Sequence, residues 1–155
     1  MSDGLDPLER LLAERACERL VYRYAQLLDL GQQDKVPELF VDDGVWELPG
    51  RIRFAGRAEL DAGIPTRLTA PGRTARHLCM NVVIDVLGPD DAVGTSYMVN
   101  YRYDDPSGVP ADLAPTGDPV YIGEYHDRFV RTEGGWRFHQ RRTELAFAQR
   151  SPTSS

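Results

Sequence analysis

Asp29 and His77, 48 positions apart (77 − 29), have the residue types for proton transfer. Taking a proton from carbon needs a base that titrates near the working pH, and histidine is the side chain that starts there. A carboxylate on the second ring nitrogen fixes the tautomer and stabilises the imidazolium. Charge developing on the substrate then needs a donor. Tyr24, Tyr125, Asn100 and Arg141 are candidates, because a neutral hydroxyl or amide stabilises such charge where water is excluded. Plainer readings stand beside these. Asp29 also reads as a solvated residue near a helix end, His77 as a hydrogen-bonded strand histidine, Tyr24 as core, and Arg141 as a surface ion-pair partner. Asn81 reads as a strand-edge or bulge residue, and Tyr97, Tyr101 and Tyr103 as packing or surface aromatics.

The elements that must position these groups follow from periodicity. Residues 1–7 are expected to be flexible, with Pro7 suited to an early helical position, where its missing N–H costs nothing. From Leu8 to about Leu30 the pattern is helical. Cys17, Leu20, Val21, Tyr24, Leu27 and Leu28 share one arc, Asp29 lies beside it, and Gly31 is a stop signal. Asp34 is expected to cap a short helix, Lys35 to Phe40. Asp42-Asp43-Gly44 predicts a turn and Val45 to Leu48 a short strand, ended by Pro49-Gly50. Another short helix is expected from Arg57 to Gly63, then an irregular stretch from Pro65 to Gly72.

The second half reads as strands. Ala75 to Leu87 is β-rich and stops at Gly88-Pro89-Asp90-Asp91. Ala92 to Tyr103 alternates. Asp104 to Pro119 has no period and reads as a long loop, Val120 to Arg131 is a strand, and Glu133-Gly134-Gly135 turns into a last strand, Trp136 to Phe147. If Ala75 to Leu87 is regular, His77, Cys79, Asn81 and Val83 share a face. Tyr97 and Asn100 fall on opposite faces unless a bulge separates them. Helices first and a meander after predict an α+β fold, with an antiparallel sheet curled around the N-terminal helix. Such a sheet leaves a conical cavity suited to a small molecule. One domain is expected over residues 8–148, with a disordered tail at 149–155.

Bulk properties narrow the function. Hydrophobic content of 41% and charged content of 27% are ordinary for a globular protein, and a net charge of −6 argues against nucleic acid as partner. Cys17 and Cys79 sit in apolar stretches and read as buried free thiols. His126 and His139 alternate out of phase with Tyr125 and Phe138 and read as exposed. No metal site, no cofactor and no membrane span are expected, and the cytoplasm is the expected location.

In order, the chain carries Tyr24-x4-Asp29, Leu39-Phe40-x-Asp42-Asp43-Gly44-x-Trp46, Gly56-Arg57-x-Glu59-Leu60 and Arg76-His77-x3-Asn81. Tyr125-x-Asp127-x-Phe129 and Gly134-Gly135-Trp136-Arg137-Phe138 follow, with Arg141 beyond. This series resembles the nuclear transport factor 2-like superfamily, and within it the SnoaL-like branch, over about Leu8 to Arg142. The resemblance implies a cone-shaped α+β barrel, commonly a homodimer or homotrimer. The Asp29/His77 arrangement resembles the scytalone dehydratase, bile-acid 7α-dehydratase and hexachlorocyclohexane dehydrochlorinase type, which carries out cofactor-free eliminations. Carried over, His77 is the base and Asp29 its partner, with Tyr24 a cavity tyrosine and Arg141 a cavity arginine. Asn100 stands where the bile-acid type has an aspartate, and Tyr97 where the scytalone type has a histidine. The expected site is therefore His77, Asp29 and Tyr24 for catalysis, with Asn100, Tyr125, Arg141, Trp46 and Tyr97 for a hydrophobic substrate. The activity expected is a lyase or isomerase. A polyketide-type cyclase and a non-catalytic binding or assembly module are the alternatives.

Overall fold

A computed structural model describes residues 5–149. Asp6 caps the first helix, α1 (Pro7–Asp29), by accepting from the Leu8 and Glu9 amides, while Glu9 accepts from the Asp6 amide. This reciprocal box satisfies donors that the first turn otherwise leaves open. So Asp6 and Pro7 of the expected loose N-terminus belong to the helix start, and residues 1–4 lie outside the described residues. At the other end Gly31 adopts φ +72°, and the Gln32 amide reaches the Leu27 carbonyl at 2.8 Å. That Schellman-type stop makes Asp29 the last helical residue. The expected arc is buried, including Cys17, Leu20, Val21, Tyr24, Leu27 and Leu28. Cys17 and Cys79 are free thiols, Cys17 fully buried and Cys79 partly so.

Next come a 3₁₀ segment (Gln33–Leu39), β1 (Phe40–Leu48), β2 (Ile52–Ala55) and α2 (Arg57–Leu68). Three expectations change here. Asp34 lies inside the 3₁₀ segment and does not cap it; Gln32 holds the cap position without a side-chain bond. Asp42-Asp43-Gly44 is not a turn but a bulge within β1. Five residue steps on β1 (45 − 40) oppose two on the facing strand (140 − 138). Arg57 fastens this bulge through the Asp42 carboxylate and the Pro37 and Phe40 carbonyls. Finally, α2 runs five residues past Gly63 (68 − 63), through Pro65, where the sequence suggested irregular chain. Its buried Leu60 and Ile64 anchor it to the core, which outweighs the one ladder bond that proline removes.

The remaining strands are β3 (Arg73–Val86), β4 (Asp91–Asp104), β5 (Tyr121–Thr132) and β6 (Gly135–Ala148). The six form one unclosed sheet in the order β2-β1-β6-β5-β4-β3. The stretch β3 to β6 is the expected antiparallel meander, but β1 joins β6 in parallel, so the sheet is mixed. A parallel pair requires a long connection, and here almost the whole domain lies between the partners. Bulges twist and curl the sheet, one between Met80 and Val83 on β3 and two on β6. The sheet wraps α1, whose buried arc joins Trp46, Met98, Tyr125, Phe129 and Phe138 in one core. The result is the cone-shaped α+β architecture. At the β3 bulge Asn81 takes φ 51°. The slip turns Asn81 and Val83 outward, away from the face that His77 and Cys79 share. The loop 105–120 joins β4 to β5. Gln149 donates to the Val120 carbonyl, and residues 150–155 of the expected tail lie outside the described residues. Among the described residues no helix is long and apolar enough to cross a membrane.

Candidate active site

The end of α1 and the middle of β3 bring Asp29 to His77. One carboxylate oxygen lies 2.6 Å from the ring Nδ1, and the other accepts from the His77 backbone amide at 2.7 Å. Both oxygens are thus used on one residue, which fixes ring position and tautomer together. The side chains are 9% and 18% exposed. On the far side of the ring, Asn100 Nδ2 lies 2.8 Å from His77 Nε2. Asn100 sits directly across the β3–β4 ladder from His77. With Nδ1–H donating to the carboxylate, Nε2 is the lone-pair nitrogen, and the Asn100 amide donates to it.

His77 and Asn100 form part of the wall of a cavity of about 100 Å³. Tyr24, Trp46, Tyr125 and Met98 line it as well. Trp46 Nε1–H donates to the Tyr24 hydroxyl at 2.8 Å. Indole nitrogen is donor only, so the Tyr24 oxygen accepts and its own proton stays free for another acceptor. Burial pushes the Tyr24 hydroxyl up to about 12, with Arg141 and the Trp46 bond pulling partly back. Burial also pushes Tyr125 well above its ordinary value. Both are therefore neutral hydroxyls at physiological pH.

Two expected binding residues are placed elsewhere. Tyr97 lies on the outer face and is 51% exposed, because no bulge separates it from Asn100 and the period of two holds. Arg141 is completely buried beneath the cavity instead of lining it. Its guanidinium makes two bonds to Asp127, at 2.9 and 2.7 Å, and sits 4.0–4.4 Å from the Tyr24, Tyr125 and Phe138 ring centres. Burial disfavours its charge, but the Asp127 carboxylate outweighs that and raises its pKa. Arg141 thus supports the tyrosine rings from behind. The sequence reading missed Asp127 as its counter-ion, although Asp127 alternates in phase with Tyr125. It also missed Arg67, Arg73 and Arg102, which line the cavity. On the outer sheet face, Glu124, His126 and Glu144 bring ligand-type atoms within 4.8 Å of one another. His126 Nε2 lies 3.2 Å from a Glu124 carboxylate oxygen, and Arg142 pairs with Glu144 at 2.9 Å. His126 and His139, expected to be exposed, are only partly so, and His126 Nε2 is buried.

Solved structures share this fold at low identity. A candidate scytalone dehydratase from Novosphingobium aromaticivorans is 23% identical, with 91% of this chain and 89% of that chain covered and a TM-score of 0.74. An NTF2-like protein with a cystatin-like fold from the same organism is 24% identical, covering 92% and 87%, at TM-score 0.72. A hexachlorocyclohexane dehydrochlorinase of the LinA type 3 from Novosphingobium barchaimii is 15% identical, covering 96% of each chain, at TM-score 0.74. No curated protein matches the sequence. The profile of the SnoaL-like domain matches residues 9–142, and the chain therefore belongs to the SnoaL-like family of the nuclear transport factor 2-like superfamily.

Proposed function

We propose that this protein is a cofactor-independent lyase or isomerase, dehydratase-like, that takes a proton from carbon in a hydrophobic small molecule. The observation that carries the reading is the line Asp29–His77–Asn100 at the wall of a cavity. His77 Nε2 is the base. The substrate displaces the Asn100 amide from it, and the proton from the C–H bond moves to Nε2. The electron pair left on carbon forms the new double bond as the leaving group departs, or moves onto an adjacent carbonyl oxygen. Asp29 stabilises the imidazolium, and Tyr24, its proton free, donates to the departing or developing oxyanion. Tyr125 and Trp46 shape the cavity around the substrate. A homodimer or homotrimer working in the cytoplasm belongs to the same proposal.

The test is a screen of fused-ring β-hydroxy ketones, reading loss of water as conjugated-enone absorbance. His77→Ala is expected to lose roughly 10²–10⁴ in kcat/KM, with circular dichroism unchanged. Asp29→Asn is expected to lose activity in the same direction. Turnover at the wild-type rate in a folded His77→Ala variant would remove the base from the scheme.

A further inference from the structure

The cavity wall carries charge that proton abstraction does not use. The inward ladder between β3 and β4 runs His77–Asn100, Ala75–Arg102, then Arg73–Asp104 toward the open end of the strands. Successive rungs on one face are two residues apart, about 7 Å. Arg102 therefore stands one rung from the base, and Arg73 two. Arg67, in the last turn of α2, joins them in the cavity lining.

Among the described residues, Asp104 is the one carboxylate paired with any of these three guanidiniums. Asp104 is engaged by Arg73 through two bonds, at 2.7 and 2.8 Å. The Arg73 hydrogen bonds hold the Asp104 carboxyl below its ordinary value. Arg102 Nε is 3.9 Å from Asp104, outside hydrogen-bond range, and its guanidinium lies 5.9 Å from the Tyr121 ring centre. Among the described residues, no Asp or Glu lines the cavity itself, although the chain has 24 acidic residues to 18 basic. The one cavity with the candidate base is thus locally cationic in an acidic protein. The Arg102 side chain is only 29% exposed, so its charge is poorly screened by water.

We propose that the substrate carries a carboxylate, held by Arg102 and Arg67 at the cavity mouth, about one ladder rung from the carbon that loses its proton. A guanidinium fork matches a planar carboxylate. The position of the reacting carbon rests on the proton-abstraction reading above; the anion site itself does not. The ligand is then amphipathic, an apolar body against Met98 and Trp46 with an acid group at the arginines.

Binding separates the two claims. Trans-cinnamate and its neutral isostere cinnamamide are titrated against the protein, followed by calorimetry and by tryptophan fluorescence, since Trp46 lines the cavity. Cinnamate is expected to bind at least ~10-fold more tightly at low salt, the gap narrowing as salt rises. Arg102→Gln combined with Arg67→Gln is expected to abolish the preference by weakening cinnamate far more than cinnamamide. If Arg102→Gln fails to fold, Arg67→Gln alone still reports, because Arg67 is exposed on α2; it must then reduce the preference at least ~3-fold. Equal affinities in the wild type, or an undiminished preference in the variants, overturn the proposal. His77→Ala keeps the preference if the anion site is right, whatever becomes of turnover. A missing preference beside a His77-dependent reaction sinks only the carboxylate claim; a preference beside His77-independent turnover sinks only the assigned base.

Discussion

The His77 ring is held from both sides, and the two sides do different things. Asp29 locks the tautomer with two bonds to one residue, whereas Asn100 occupies the nitrogen that would act as base. An amide suits that position. Its nitrogen donates to the neutral ring, and after proton transfer its oxygen can accept from the imidazolium by a half-turn of the side chain. Asp in place of Asn would put a second carboxylate against the ring and favour the imidazolium over the neutral form. Asn100→Asp is therefore expected to move the acid limb of the pH–rate profile to higher pH and to cut turnover at pH 7 by ~10-fold or more. The ¹⁵N shifts of His77 check the cause independently of activity. An unmoved profile and neutral-ring shifts would show that Asn100 does not govern protonation. Arg141 works at one remove, through the rings it supports. Removing one partner of a buried ion pair leaves the other uncompensated, so Arg141 substitutions report on folding before they report on substrate.

At the scale of elements, the bulges decide which residues meet. The β3 slip between Met80 and Val83 keeps His77 and Cys79 inward while sending Val83 out and bringing Val82 and Ile84 toward the core. The two β6 bulges curl the sheet over α1 so that Tyr125 and Trp46 face the same cavity. At the first of them, beside Gly123, the backbone of β6 comes so close that a Cβ there would collide with the Glu144 carbonyl oxygen. Gly123→Ala is expected to destabilise the fold by about 2 kcal/mol or more, read as a lower urea midpoint at constant m-value. A stability within a few tenths of wild type would mean that the strands separate freely there.

Across the whole molecule, the outer sheet face is as informative as the inner one. Leu78 and Met80 on β3 and Tyr97 and Tyr101 on β4 face outward and are 38–51% exposed. In the β3–β4 register Met80 faces Tyr97, so these side chains form a continuous apolar strip. The homo-oligomer proposed above is expected to use it. Light scattering should give a dimer or trimer mass, falling toward the monomer in a Leu78→Glu/Tyr97→Glu variant. A monomeric wild type at micromolar concentration would exclude that assembly. Tyr97, offered from the sequence both as a substrate contact and as a surface aromatic, stands on the outer face of β4.

Local chemistry was legible along the chain. The 3.6-residue arc of α1 and its Gly31 stop follow from the order of apolar residues, and so do the four long strands and the turns between them. Motif order was enough to join Asp29 and His77, and strand alternation already set Tyr97 apart from Asn100. Other features depend on partners distant in sequence. Asp42-Asp43-Gly44 has turn chemistry, yet pairing with β6 and the Arg57 contacts absorb it as a bulge. Pro65 reads as a breaker, yet burial of Leu60 and Ile64 carries the helix through. The parallel β1–β6 pair and the depth of Arg141 under three aromatic rings are likewise set by contacts across nearly the whole chain. Periodicity reports which face a residue prefers; only the closed packing of helix against sheet decides what stands opposite it.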